Sequence, residues 1–216
     1  MQISTDLSRL AALLGLLLIP YLANAGALED AVGALQRDWE VIRYQTPQAD
    51  RAARFELLAE RSHQLSKRYA GRSEPLIWEG IIVSSLAGEK GGFSALGLAK
   101  RARALYEQSI SIDPSALQGS AFNSLAVLYY KLPPWPISFG DKGKAGELLK
   151  RALALNPDGI DSNYFMGEYL AEMGQTTEAV ARLEQAMKAP SRPGRNIADT
   201  GRREEARLLL EKLKAR

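Results

Sequence analysis

Residues that could carry out catalysis are scarce in this sequence. Its 216 residues include no cysteine and one histidine, His63. Without cysteine the chain has no disulfide, no thiolate metal site and no cysteine nucleophile. A hydrolase triad would have to use His63, which lies on an amphipathic helical pattern next to charged residues. We therefore expect His63 to be solvated or to bridge two helices, because a triad makes much stricter geometric demands.

Other sequence motifs for chemistry are also missing. The segment Gly140–Lys144 has neither the spacing of a phosphate-binding loop nor a preceding strand. There is no Gly-x-Ser-x-Gly sequence. Carboxylates are numerous, but nothing singles out a pair that could act as general acid and base. The sequence predicts a protein that is not an enzyme and that needs no metal and no cofactor.

Four arginines are concentrated near the carboxyl end of the chain. Arg192, Arg195, Arg202 and Arg203 lie within twelve residues. This basic patch could hold an acidic partner or phosphate groups. The alternative, which we favour, is ion pairing with acidic residues nearby together with solvation. The net charge of the whole chain is only +3, which is too small to indicate a nucleic-acid partner.

The amino-terminal segment has the features of an export signal. An apolar run from Leu10 to Ala23 is followed by the small-x-small sequence Ala23-Asn24-Ala25. The run has 14 residues, whereas a membrane span needs roughly 20. We therefore predict a secretory signal cleaved after Ala25 rather than a membrane anchor. The mature protein would be periplasmic, with no membrane span remaining.

Helical periodicity runs through the rest of the chain. Apolar residues at Leu28, Val32, Leu35, Trp39 and Ile42 are spaced by 4, 3, 4 and 3, which places them on one face of an α-helix. No stretch alternates long enough to indicate a sheet. The helical spacing of the apolar residues, together with the glycines and prolines that end helices, predicts an all-α chain of about nine helices.

A repeated pattern of small and bulky residues begins at residue 76. A bulky residue precedes a pair that ends in a small residue, and a second helix then carries small, bulky and small residues before a proline. The three copies are Leu76, Glu79-Gly80, Val83, Ala102, Tyr106, Ser109, Pro114; Phe122, Leu125-Ala126, Tyr129, Ala145, Leu149, Ala152, Pro157; and Met166-Gly167, Leu170, Ala179, Leu183, Ala186, Pro190. The pattern resembles that of the tetratricopeptide repeat (TPR) family. The resemblance implies an α-solenoid of antiparallel helix pairs; the alternative is a generic antiparallel helical array.

The resemblance to the TPR pattern and the positions of helix-ending glycines and prolines together predict how the chain is divided into segments. The predicted segments are the signal (1–25), an N-terminal helix pair (26–72), a degenerate repeat with a long insertion between its helices (73–114), a repeat with a Pro- and Trp-rich insertion (115–157), a third repeat (158–190), and a basic loop with a capping helix (191–216). In the last segment, Asp199 is expected to cap the helix.

The two insertions separate the small residues of the first two repeats by 22 and 19 positions, instead of the 12 of the third. The first insertion is placed at residues 88–94 and the second at residues 132–141. Three prolines exclude helix from the second insertion. Its aromatic residues Trp135 and Phe139 either fold back onto the array or form a contact surface.

The resemblance also implies where a partner would bind, because in the family the first helix of each pair lines a concave groove. The corresponding positions are Ile77, Ile81 and Ser84 in the first repeat, Asn123, Val127 and Tyr130 in the second, and Asp161, Tyr164 and Glu168 in the third. Asparagine could hydrogen-bond a peptide backbone, and tyrosine offers flat apolar contact.

The function predicted from these observations is that of a periplasmic adaptor or scaffold that binds a protein or peptide in its groove. The chain also resembles, more weakly, the TPR-bearing T-component of tripartite ATP-independent periplasmic (TRAP) transporters. That resemblance implies a cavity for an apolar small ligand, which Trp135, Phe139 and Tyr164 would line. A purely structural part of an envelope assembly is a third alternative. The sequence leaves open whether the chain forms homo-oligomers.

Overall fold

The computed structural model describes residues 26–215, so the predicted signal lies outside the described residues. The described part contains nine helices and no strand. The helices are residues 26–45 (α1), Gln48–Arg68 (α2), Ser73–Lys90 (α3), Gly92–Ile112 (α4), Ala116–Lys131 (α5), Lys142–Leu155 (α6), Ile160–Glu172 (α7), Thr176–Lys188 (α8) and Asn196–Lys214 (α9). None of the helices in the described part is both long and apolar enough to cross a membrane.

The helices form stacked antiparallel pairs. Helix α3 packs most extensively on α4, α5 on α6, and α7 on α8. The first helices of successive pairs also touch, α3 with α5 and α5 with α7, and α7 touches the final helix α9. This arrangement confirms the all-α solenoid predicted from the repeated pattern.

The small residues of the pattern lie where paired helices approach each other. A Cβ atom on Gly80 would be 2.5 Å from the ring of Tyr106, and one on Gly167 would be 2.8 Å from Leu183. Ala179, opposite Gly167, is fully buried. The spacing of small residues therefore sets how closely the two helices of a pair can pack.

The first insertion does not form a loop as predicted. Helices α3 and α4 extend to 18 and 21 residues, and Gly91 alone separates them. Gly91 and Gly92 both have left-handed backbone angles, with φ of 62° and 58°. Glycine adopts this conformation without steric cost, so the chain reverses within one residue and the added residues lengthen both helices.

The start of α9 also differs from the prediction. Asp199 is not a cap, because it lies inside the first turn of a helix that begins at Asn196. Its buried carboxylate accepts hydrogen bonds from the backbone N–H and the Nε of Arg192, at 2.7 and 2.8 Å. The residue therefore fixes the preceding basic loop onto α9. Further along, Ala206, Leu210 and Leu213 form the buried stripe of the capping helix, which packs on α8.

The first and last helices of the described chain meet. The carboxylate of Glu40 on α1 accepts a hydrogen bond from the backbone N–H of Ala198 at 3.0 Å. Arg43 pairs with Glu205 at 2.8 Å. The ring of Tyr44 packs so closely on Gly201 that a Cβ there would lie 2.3 Å from it. These contacts close the solenoid into a ring.

Candidate functional site

The closed solenoid surrounds a concave channel with a cavity of about 940 Å³. Helices α1, α3, α5, α7 and α9 all contribute side chains to it, together with the basic loop before α9. A volume of this size falls within the range of ligand sites, about 300–1,000 Å³. The channel is the candidate binding site of the protein.

One wall of the channel, on α3 and α5, is charged only where the two helices end, at Glu89 and Lys131. Its remaining lining is neutral and includes Trp78, Ser84, Ser85, Asn123 and Ser124. Among the described residues, two of its buried polar atoms have no hydrogen-bond partner, the indole Nε1 of Trp78 and the amide oxygen Oδ1 of Asn123. Buried polar groups are nearly always paired, so one unpaired donor and one unpaired acceptor on the same wall are unusual.

The opposite wall, on α7 and α9, is charged. Asp161 accepts hydrogen bonds from Arg192 at 2.7 Å and from Arg202 at 2.8 Å. Arg202 also pairs with Glu205 at 2.6 Å. Burial opposes the ionisation of Asp161, but the charges of Arg202 and Arg192 outweigh it and lower the pKa of the carboxyl from 3.8 to about 2.

Aromatic rings border the charged wall. The guanidinium of Arg202 lies 4.5 Å from the ring centroids of both Tyr164 and Phe165. Burial, together with the charge of Glu168, raises the pKa of the Tyr164 hydroxyl. Tyr164 therefore remains a neutral group that offers a flat surface and a hydroxyl to the channel.

Four of the five predicted groove residues border the channel, namely Asn123, Asp161, Tyr164 and Glu168. The fifth, Tyr130, is buried behind the wall and donates a hydrogen bond to Glu168 Oε2 at 2.6 Å. In the other implied positions, Ile81, Ser84 and Val127 border the channel, whereas Ile77 is fully buried in the core.

The predicted basic patch is divided between the channel and the outside. Arg192, Arg195 and Arg202 line the channel. Arg192 and Arg202 hydrogen-bond Asp161, whereas Arg195 lies 3.5 Å from Glu40 and its buried Nε makes no hydrogen bond with any described residue. Arg203 is not part of the channel lining and donates to the backbone oxygen of Ala189 at 2.9 Å. Their partners include Asp161 in the last repeat, so the ion pairs join the basic loop and α9 to α7.

The sequence reasoning missed the contribution of α1 to the site. Trp39, Arg43 and Tyr44 line the channel, and the indole of Trp39 donates to Ser85 Oγ at 2.8 Å. The N-terminal helix pair does not show the repeated pattern. Its residues could therefore not be aligned with the groove positions of the three repeats, and α1 was not expected to line the groove. Its contacts with α9 join residues about 160 positions apart, and contacts between such distant residues produce no pattern in the neighbouring sequence.

The start of α5 is a second feature with no sequence signal. Leu117, Gln118 and Gly119 have left-handed φ angles of 47°, 55° and 76°. Leu117 and Gln118 border the channel. Such a conformation is costly for residues with a Cβ, and it is typical of backbone held in place at functional sites.

His63 lies outside the channel, between α2 and α3. Its Nδ1 is 3.0 Å from Oε1 of Glu79, a buried carboxylate that also accepts hydrogen bonds from Ser66 and, at 2.5 Å, from Arg101. His63 therefore bridges two helices. No group of three or more potential metal ligands occurs in residues 26–215.

The second insertion is non-helical from Leu132 to Asp141, and its two aromatic residues behave differently. Phe139 folds back onto the array, where its ring centroid lies 5.5 Å from that of Tyr129 and 4.9 Å from the Arg103 guanidinium. Trp135, by contrast, is 84% exposed and projects from the loop into solvent. Neither residue contributes to the channel.

Comparison with known proteins supports the fold and leaves the family of the sequence open. The sequence matches no protein-family model and no curated protein. The structure is similar to that of TTC0263, a thermophilic TPR protein of Thermus thermophilus, with a TM-score of 0.55 and 17% identity over 87% of this chain and 94% of that chain. A fragment of MamA from Desulfovibrio magneticus RS-1 gives a TM-score of 0.45 and 15% identity over 85% of this chain and 94% of that one.

The similarity to TTC0263, together with the stacked pairs and their small-residue contacts, defines the class of this protein. The chain has the fold of a tetratricopeptide repeat α-solenoid. The resemblance inferred from the repeated pattern is confirmed at the level of the fold.

Proposed function

We propose that the protein is a periplasmic adaptor or scaffold that binds a short extended segment of a partner protein in its concave channel. The observation that carries this proposal is the unpaired donor and acceptor on the neutral wall, Trp78 Nε1 and Asn123 Oδ1. Both atoms are closed off from solvent in the free protein, so a peptide would reach them when the side chains around them move. A peptide backbone offers the complementary pair, one carbonyl and one N–H per residue. The periplasmic location rests on the predicted signal.

The dimensions and the charge of the channel support a peptide ligand. Its volume accommodates a short stretch of chain rather than a folded domain. Its charged groups are largely paired with one another, so it does not select strongly for a single sign of charge. The transporter-accessory alternative required an apolar cavity lined by Trp135, Phe139 and Tyr164. Only Tyr164 lines the channel, so no observation favours that alternative.

The test is a crosslinking pull-down from envelope extract, with the predicted mature chain from Gly26 onward as bait. A parallel bait carries Asn123→Leu, which removes the amide at nearly constant volume, and a control bait carries Gln108→Ala on the exposed face of α4. We expect one partner to be captured by the wild type and the control and to be lost with Asn123→Leu. Equal capture by all three baits would disprove binding in the channel.

A further inference from the structure

Three large apolar side chains project into solvent from the segments that join the paired helices. Phe93 is 89% exposed at the α3–α4 turn, and Trp135 and Ile137 are 84% and 63% exposed in the α5–α6 loop. Both segments connect the first helix of a pair to the second, and α5 packs on both α3 and α4. The two segments therefore lie at the same edge of the solenoid, which we call the loop edge.

The loop that carries Trp135 is held in place by hydrogen bonds within the described residues. The N–H of Gly140 donates to Pro133 O at 3.0 Å, and the N–H of Asp141 donates to Tyr129 O at 2.9 Å. Phe139 anchors the same loop on the array. An ordered loop that leaves an indole in water presents an apolar contact surface, because such exposure is unfavourable in an isolated protein.

The surroundings of these apolar residues are basic. Segments 88–104 and 131–144 contain seven Lys or Arg and two Asp or Glu, a net charge of +5 in a chain whose total is +3. Four of the seven cations form ion pairs with carboxylates outside these segments, namely Lys90, Arg101, Arg103 and Lys131, so the unpaired positive charge comes from the other three. Lys100, Lys142 and Lys144 are exposed, and among the described residues they form no ion pair. Ala102 and Ala145 occupy equivalent positions in their repeats. Lys100, Lys142 and Lys144 each lie one to three residues before one of these alanines, so all three are at a similar distance from the loop edge.

We propose that the loop edge docks on an anionic lipid bilayer. Trp135 and Phe93 would lie at the level of the headgroups, where aromatic rings are favoured, and the lysines would contact lipid phosphates. A membrane accepts isolated protruding side chains, whereas a stable protein interface needs a continuous complementary surface. In a symmetric dimer built through this edge, two surfaces of the same positive charge would face each other and repel.

Docking in this way would also orient the candidate site. Ala95, Leu128 and Leu132, next to the loop edge, border the channel. A protein held by its loop edge would therefore have one rim of the channel close to the membrane surface. The docking itself does not depend on what the channel binds, so the two proposals can fail separately.

The test measures binding of the chain from Gly26 onward to phosphatidylcholine vesicles with and without phosphatidylglycerol. Trp39 and Trp78 are buried, so a change in tryptophan emission on binding reports on Trp135. We expect co-sedimentation with the anionic vesicles only, a blue shift of the emission, and weakening of both at high salt. We also expect Lys142→Glu/Lys144→Glu to reduce the binding.

The decisive variant is Phe93→Ser/Trp135→Ser, and its control is Ile112→Ser, which removes an exposed isoleucine at the far end of α4 from this edge. We expect the double variant to lower vesicle affinity by at least about tenfold and the control to leave it unchanged. All the replaced side chains are exposed, and unchanged circular dichroism would verify folding. Binding to neither vesicle type, binding without a blue shift, equal binding by the double variant, or capture of a protein through this edge without vesicle affinity would each overturn the proposal.

Discussion

On the α7–α9 side of the channel, charged side chains pair in sequence from Arg192 through Asp161 and Arg202 to Glu205. On the α3–α5 side, the polar atoms Trp78 Nε1 and Asn123 Oδ1 are buried without partners among the described residues. Paired charges hold elements together, whereas unpaired buried groups cost free energy until something binds to them. The comparison indicates that the charged wall closes the structure, and it is the reason why we place recognition on the neutral wall in the proposed function.

The largest effect is expected when the charged wall loses its central carboxylate. Asp161→Ala leaves Arg192 and Arg202 without their shared partner in a partly enclosed site. We expect the free energy of unfolding to fall by about 3 kcal/mol, the lower end of the range for broken buried pairs because Asp161 is 26% exposed. Urea denaturation measures this loss. Glu204→Ala, which breaks an exposed pair with Arg207 on the same helix, is the control and should leave the free energy of unfolding nearly unchanged.

The same carboxylate predicts how stability depends on pH. The pKa of Asp161 is lowered from 3.8 to about 2 in the folded protein, so folding favours its ionised form. Its contribution, about 2 kcal/mol, is complete above pH 4 and is lost as the pH falls from about 4 to about 2. Denaturation at a series of pH values checks this, with Asp161→Asn as the comparison. An equally steep acid loss in Asp161→Asn would show that other groups cause it.

The ring closure can be broken at Gly201, where a Cβ would meet the ring of Tyr44. We expect Gly201→Ala to destabilise the protein by about 1–2 kcal/mol, because the ring has to move away from α9. Hydrogen exchange should increase at the end of α1. Gly97→Ala on α4 is the matched control, because nothing lies within 4 Å of its Cβ, and it should stabilise the protein by up to about 1 kcal/mol. Unchanged exchange in α1 would mean that the closure does not hold the helix.

The smallest effect on stability is expected on the neutral wall. Asn123→Leu replaces an unpaired buried amide by an apolar group of similar size, so the stability should stay within about 1 kcal/mol of the wild type or rise slightly. Thermal denaturation measures it beside the pull-down. A large loss of stability would show that Asn123 supports the fold, and the contrast between the two walls would then disappear.

Part of the fold could be read directly from residue spacing. The recurrence of Gly80, Ala126 and Gly167 with bulky residues three positions on identified the helix pairs and their contacts. Proline correctly indicated a non-helical segment at residues 132–141. The first insertion was misread, because Gly91 and Gly92 allow an abrupt reversal and the surrounding residues are good helix formers.

The repeat register correctly placed Asn123, Asp161, Tyr164 and Glu168 next to the channel. The position of a residue within the first helix of its own repeat is enough to indicate that it faces the groove. Their pairing could not be predicted. Asp161 meets Arg202 41 positions away, and the sequence offered many other carboxylates as partners for the basic patch.

The sequence by itself determined the helices and their pairing, and its resemblance to the TPR pattern assigned the first helix of each repeat to the lining of a groove. These features depend on contacts between residues close in the chain, and each repeat carries the same pattern. Only the tertiary structure decided that the groove closes into a ring, with Glu40 bonded to Ala198 158 positions away. Closure depends on small rotations accumulated from pair to pair, which no single repeat encodes.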